Sequence, residues 1–381
     1  MPAGPNSQTL FELARQEDLV GLTAALCDIP SVSGNEEVLA TAVAGVLERV
    51  PGLEILRNGN ALVARTNLDA SSRVLLAGHL DTVPVAQNLL VERRTVAGEP
   101  ALWGRGTVDM KAGVAVFLAL AVNLRPNRDL TFIFYDNEEV EESLNGLGRI
   151  ARIEPDLLSA DFAILGEPTE GGIEGGCNGT LRAEITVPGV AAHSARAWTG
   201  KNAIHAAAPV LTRLAEHLPA EIEVDGLVYR EGLNAVNIAG GIAGNVIPDS
   251  CVVSVNYRFA PSRTEVEAAA LVREMFPEYQ VTISDSASGA RPGLDRAAAK
   301  EFAELVAVQT GAIPRPKYGW TDVARFAKLG IPAVNFGPGD PSLAHTDDEN
   351  VPVYQILGCY DLLTAWLGEK TTSPAPRLQS Q

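Results

Sequence analysis

Positive charge is scarce in this chain. Its 30 lysines and arginines face 47 aspartates and glutamates, a formal net charge of -17. Nucleic acid needs a basic surface to meet its phosphates, so it is excluded as a partner, and an anionic membrane is disfavoured on the same ground. An anionic substrate would be repelled at long range and would need local cations. Cysteine is sparse too. Cys27, Cys177, Cys251 and Cys359 lie far apart with no CxxC pair, which excludes a disulfide framework and a thiolate zinc knuckle. Reduced, buried thiols are expected. No apolar run approaches the roughly 20 residues of a membrane span. The opening MPAGPNSQTL has neither a basic n-region nor an apolar h-region, so no secretory signal is expected and a cytoplasmic protein is. There is no GxSxG elbow for a serine hydrolase, and Gly104-Arg-Gly106 is not completed into a phosphate-binding GxGxxG.

The 381 residues, 46% of them hydrophobic, suffice for two domains with sizeable cores. Leu, Val and Ala recur at helical spacing over 8–27 and 35–50, and short β-like runs follow at 61–65 and 73–78. Residues 110–124 read as a buried helix; 128–135 and 161–165 read as buried strands. The alternation predicts an α/β domain with a largely parallel sheet. Past residue 178 the texture changes to a strand (181–187), a helix (201–217), strands near 233–240 and 250–258, a helix (263–275) and a strand (279–284). This predicts an inserted α+β sandwich over 179–290. The α/β style returns over 291–370 with a helix (296–309), a strand near 333–336 and a helix (352–367). The tail 371–381 is expected to be disordered.

Acids and imidazoles recur where apolar strands end: His79 and Asp81 after Val74-Leu-Leu-Ala77, Asp109 before the buried helix, Asp136-Asn-Glu-Glu139 after Phe-Ile-Phe-Tyr, Glu167 after Ala-Ile-Leu, and His345 beyond the strand ending at Phe336. Each alone has a plain reading as a cap or a solvated loop residue. Strand ends of an open α/β sheet converge on one crevice, however. Carboxylates packed there repel one another unless a cation joins them. Two imidazoles with several carboxylates suit a pair of Zn, Co or Mn ions better than Mg or Ca. His205 and His217 fall on the predicted 201–217 helix and receive no role.

The motifs GHLDTVP, WGRGTVDMKAG, YDNEE, GEP and AHTDDENVPV, in this order and spacing, resemble the dizinc M20 peptidase and deacylase family over nearly the whole chain. Within that family EGLNAVNIAGGIAGNVIPD, YGWTDVARF and NFGPGDPSLAH resemble the succinyl-diaminopimelate desuccinylases of the actinobacterial type. The resemblance implies a zinc exopeptidase-like α/β domain: a mixed, mostly parallel sheet flanked by helices, carrying an inserted α+β two-layer dimerisation domain. It implies two Zn2+ per subunit, with Co2+ as a possible substitute. His79 and Glu167 would bind one, Glu139 and His345 the other, and Asp109 would bridge. Asp81 would hydrogen-bond the free ring nitrogen of His79, the Asp109–Met110 peptide would be cis, and Glu138 would be the general base. His193 would reach the oxyanion from the partner subunit of a homodimer. Arg258, Asn245, Thr321 and Thr180 match substrate-binding positions for a small N-acyl amino acid. Asn178, Ala197 and Ala112 depart from the family pattern, and Arg182 or Arg196 is a candidate for the cation lost at 178. The reaction implied is hydrolysis of N-succinyl-LL-2,6-diaminopimelate to succinate and the diamine. Alternatives are N-acetylornithine deacetylase, aminoacylase or glutamate carboxypeptidase activity, and, in another class, a metal-free binding protein.

Overall fold

The computed structural model describes residues 5–369 and divides into two compact units. The expected tail at 371–381 lies outside the described residues. The first unit comprises the chain up to Gly175, Gly293–Arg315 and the chain from Arg325 on. Its sheet has eight strands in the order Glu54–Asn58, Ala61–Arg65, Asp129–Tyr135, Arg73–His79, Phe162–Leu165, Ala333–Asn335, Glu174–Gly175, Arg315–Pro316. Arg73–His79 runs parallel to both neighbours, and Ala333–Asn335 runs parallel to Phe162–Leu165. The Glu54–Asn58 and Ala61–Arg65 strands extend the sheet by antiparallel pairing.

The central strands are apolar without alternation because both faces are covered. Asp129–Tyr135 and Phe162–Leu165 are buried at every residue. The helix Lys111–Asn123 is buried from Lys111 to Ala121 and joins the helices Ser7–Arg15, Leu19–Cys27, Glu37–Leu47 and Val353–Leu367 in one core. The predicted 8–27 helix is in fact two. Glu17 takes a positive φ of 55° and Asp18 caps the second helix by accepting from the Gly21 amide at 2.8 Å; a local cap outweighs apolar periodicity there. Among the described residues no helix is long and apolar enough to cross a membrane.

The second unit is Gly176–Pro292 with Pro316–Ala324. Four antiparallel strands, Gly232–Gly240, Ser250–Phe259, Gly179–Pro188 and Gln280–Ala287, lie in that order. Alternate residues are buried, as in a sheet covered on one face. The helices Ala203–Ala206, Ala208–Ala215 and Glu265–Met275 supply the cover. The predicted 201–217 helix breaks at Ala207, and Pro209 opens the second piece. Sequence reasoning placed 316–324 with the first domain. These residues belong to the second unit, where the Lys317 carbonyl accepts the Asn178 amide at 3.1 Å. The hairpins Glu92–Val96/Glu99–Trp103 and Glu221–Val224/Leu227–Arg230 were not foreseen.

Candidate metal centre

The parallel strands deliver their polar ends to one edge of the first unit's sheet. His79 is the last residue of Arg73–His79, opposite Tyr135 in the neighbouring strand, and Glu138 and Glu139 follow that neighbour. Glu167 follows Phe162–Leu165. Asp109 comes just before the helix Lys111–Asn123, and its peptide to Met110 is cis. The close approach needs a glycine: a Cβ at Gly113 would meet the carbonyl oxygen of Gly166, next to Glu167.

Asp109 lies between two imidazoles. Its Oδ1 is 3.0 Å from His79 Nε2 and its Oδ2 is 3.3 Å from His345 Nε2. Glu167 Oε1 stands 4.0 Å from His79 Nε2, and Glu139 Oε1 stands 2.8 Å from His345 Nε2. Ligand atoms tetrahedrally disposed at about 2.05 Å around one zinc are roughly 3.3 Å apart, within this spread. His79, Asp109 and Glu167 form one potential ligand group and Asp109, Glu139 and His345 another, each with its ligand atoms within 4.8 Å of one another. A third group, His79, Glu138 and Glu139, places Glu138 beside the same cluster. The donors are imidazole nitrogen and carboxylate oxygen, a set that fits a pair of Zn-like cations sharing Asp109.

Without a cation, protons bind the cluster. His79 is fully buried, which by itself disfavours its charge, but the hydrogen bonds it donates to Asp109 and Asp81 raise its pKa well above the usual imidazole range. Hydrogen bonds to Asp109 and Glu139 push His345 up to about 10. Asp109 is driven up by burial and, more strongly, down by the two imidazoles, ending below the ordinary carboxylate range.

Asp81 faces the free ring nitrogen of His79 with two of its oxygens. His79 Nδ1 is 3.0 Å from the main-chain oxygen of Asp81 and 3.5 Å from its carboxylate, so the carbonyl takes the shorter bond and the tautomer follows from it. The carboxylate is turned to the Glu138–Glu139 loop: Oδ1 accepts the Glu138 amide at 3.0 Å and Oδ2 the Glu139 amide at 3.1 Å. Ser33 Oγ donates to Oδ2 at 2.7 Å. Burial opposes the Asp81 charge, but His79 and the two amides outweigh it and lower its pKa.

Sequence reasoning missed several supporting residues. Glu36, buried, accepts the Gly34 and Asn137 amides at 2.7 and 3.3 Å. Lys111 is buried, its ammonium held by the carbonyls of Leu26 and Ile29 at 3.2 and 2.9 Å. Arg105 and Glu349 pair in the interior at 2.9 Å. Arg105, Lys111 and Glu349 sit inside the quoted motifs and Glu36 lies far before the first of them, but a charged residue in a loop gives no sign of burial until the chain is folded.

The remaining predicted residues lie in the second unit, in two places. Arg258 pairs with Thr180 across neighbouring strands, and Asn256 joins them, accepting from Arg258 Nε at 3.1 Å and donating to Thr180 Oγ1 at 3.3 Å. Burial and the neighbouring Arg182 lower the Arg258 pKa. Thr321 is near this strand's start, its carbonyl 3.7 Å from Cys177 Sγ. His193 and Asn245 meet elsewhere: His193 pairs with Val246, the Ser194 amide donates to the Asn245 carbonyl at 2.9 Å, and both residues are exposed. Arg196 lies in the turn Ser194–Thr199.

The family model described as peptidase family M20/M25/M40 matches residues 75–369. The chain belongs to this family. It is 55% identical to a Mycobacterium tuberculosis protein provisionally named succinyl-diaminopimelate desuccinylase DapE, over 92% of this chain and 98% of the relative. It is 46% identical to a succinyl-diaminopimelate desuccinylase of Corynebacterium glutamicum, over 94% of this chain and 99% of the relative. A crystal structure of a tripeptidase from Staphylococcus aureus shares the fold at 22% identity, with a TM-score of 0.74 over 92% of this chain and 96% of that one. The mixed, mostly parallel sheet flanked by helices is thus the fold of the family, and the chain is a hydrolase by membership.

Proposed function

We propose that this M20 hydrolase cleaves the amide bond of N-succinyl-LL-2,6-diaminopimelate, releasing succinate and LL-2,6-diaminopimelate, with two zinc ions per subunit and cobalt able to replace them. The observation that carries the chemistry is Asp109, whose two oxygens each face a different imidazole. Near-full-length similarity to two proteins bearing the desuccinylase name supports the substrate.

His79 and Glu167 would hold one cation, Glu139 and His345 the other, and Asp109 would be a ligand to both. When bound, the cations polarise the amide carbonyl and make a water more acidic. Glu138 takes a proton from the water as its oxygen bonds to the amide carbon. It then delivers that proton to the nitrogen as the C–N bond breaks. Asp81 aims Glu138 and Glu139 by holding both amides, and with its carbonyl it orients His79. Arg258 and Thr180 take a substrate carboxylate, and Asn245 and Thr321 complete recognition of a small N-acyl amino acid. His193 donates to the developing oxyanion.

The working form is a homodimer through the inserted unit. The strand Gly232–Gly240 ends its sheet and is exposed from Asn234 to Gly240, with Val236 62% and Ile238 46% accessible. An edge this apolar is normally covered. Four buried free thiols suit the reducing cytoplasm.

The test is steady-state hydrolysis after zinc or cobalt loading, with N-succinyl-LL-2,6-diaminopimelate compared with N-acetylornithine, simple N-acyl amino acids and glutamate-terminated peptides. Preference for the succinylated diamine by at least about a hundredfold in kcat/KM is expected. Efficient turnover of another member alone would move the substrate and keep the chemistry.

A further inference from the structure

The ligand residues are not equally well anchored. His79 ends a strand and Glu167 follows one, and Glu139 is tied through its amide to Asp81. His345 has no such support. It follows the short turn Pro341–Leu343, has a positive φ of 66° and is 52% exposed at its side chain. Its distance to Asp109 must nevertheless be set, because the two residues arrive on separate segments.

One buried ion pair touches both segments. Glu349 Oε1 accepts the amides of Val108 and Asp109 at 2.9 and 3.1 Å. Its Oε2 accepts from Arg105 Nη1 at 2.9 Å, and the same Nη1 donates to the carbonyl of Thr346, next to His345, at 3.2 Å. The main chain closes the arrangement, with the Gly104 amide donating to the Glu349 carbonyl at 3.0 Å. The pair is interior, with side chains 5% and 1% accessible. A buried ion pair is a poor source of stability, because desolvation offsets its attraction. What this one supplies is geometry: one carboxylate oxygen on the Asp109 segment, the other linked through Arg105 to the His345 turn.

We propose that Arg105 and Glu349 are positioning residues that set His345 against Asp109 and thereby determine retention of the second cation, the one shared by Asp109, Glu139 and His345. This rests on the two-cation reading given above. The first cation, on His79, Glu167 and Asp109, depends chiefly on strand ends and tolerates loss of the pair.

The test titrates Co2+ into metal-free full-length protein, following heat and the visible absorption of the bound ion, with thermal melting as the fold control. Wild type is compared with Glu349→Gln, Arg105→Met and Arg105→Lys. Glu349→Gln keeps an oxygen for the two amides but turns an amide donor toward Arg105. Arg105→Lys keeps the charge without the guanidinium's reach. Wild type is expected to take two ions. Glu349→Gln and Arg105→Met should bind the first within about threefold of wild type and the second at least about tenfold more weakly, with Arg105→Lys between. If folded variants bind both ions as wild type does, or lose both in parallel, the inference is overturned. Wild type that takes fewer than two ions overturns the two-cation reading and the inference together.

Discussion

Glu138 and Glu139 are adjacent in sequence, and Glu139 Oε1 stands 2.8 Å from His345 Nε2. In the proposed function one of these carboxylates binds a cation while its neighbour moves a proton. On those proposed roles Glu138→Gln removes the base and leaves the Asp109, Glu139 and His345 donors in place. It should keep its metal content, measured by elemental analysis, while kcat falls by about 10²–10⁴. Loss of metal with retained activity would contradict both roles. The imidazoles give a second prediction. His345 is raised to about 10 in the metal-free protein by Asp109 and Glu139. A folded pKa above the ordinary value of about 6.5 contributes stability that is full below pH 6.5 and lost as pH rises toward 10. The melting temperature of metal-free protein should therefore fall across that interval. Zinc-loaded protein, whose imidazoles bind metal instead of protons, should not show this loss, and zinc uptake in weak buffer should release protons. Equal pH dependence with and without chelator would refute the assignment.

At the scale of elements, the approach of the helix Lys111–Asn123 to the Gly166–Glu167 turn brings Asp109 within reach of the strand ends. Gly113 makes it possible, because any Cβ there meets the Gly166 carbonyl. Gly113→Ala should lower stability by about 1–3 kcal/mol, read by denaturant unfolding, and weaken metal binding as the helix shifts. Unchanged stability and unchanged metal affinity would mean that the helix yields without cost. The central strands were legible because both faces are buried: Asp129–Tyr135 and Phe162–Leu165 are apolar throughout. The helix breaks at Glu17 and Ala207 were not, since a cap or a proline near a helix start alters the backbone without altering apolar spacing. The hairpins at 92–103 and 221–230 were missed because their strands are short, charged and largely exposed.

For the whole molecule, the question is whether a subunit completes its own site. His193 and Asn245 sit together on the inserted unit, and the homodimer reading has them serve the partner subunit. Mixing the inactive Glu138→Gln and His193→Ala variants under exchange conditions tests it. Half of the dimers would be mixed, each with one site holding both Glu138 and His193, so about a quarter of wild-type activity should return. If His193 serves its own subunit, the mixture stays as inactive as its parts.

The candidate donor types and their order along the chain were readable from the sequence alone, because the residues that follow parallel strands, His79, Glu139 and Glu167 among them, converge on one edge of the sheet. The tertiary structure decided what those residues touch. It set the Asp81 carboxylate against the Glu138 and Glu139 amides as well as His79, and gave His79 Nδ1 its shorter contact at the Asp81 carbonyl. It moved Pro316–Ala324 into the second unit and buried Arg105 against Glu349. Such partners are separated by up to hundreds of residues, and hydrogen-bond direction and burial are properties of packing, which local composition does not encode.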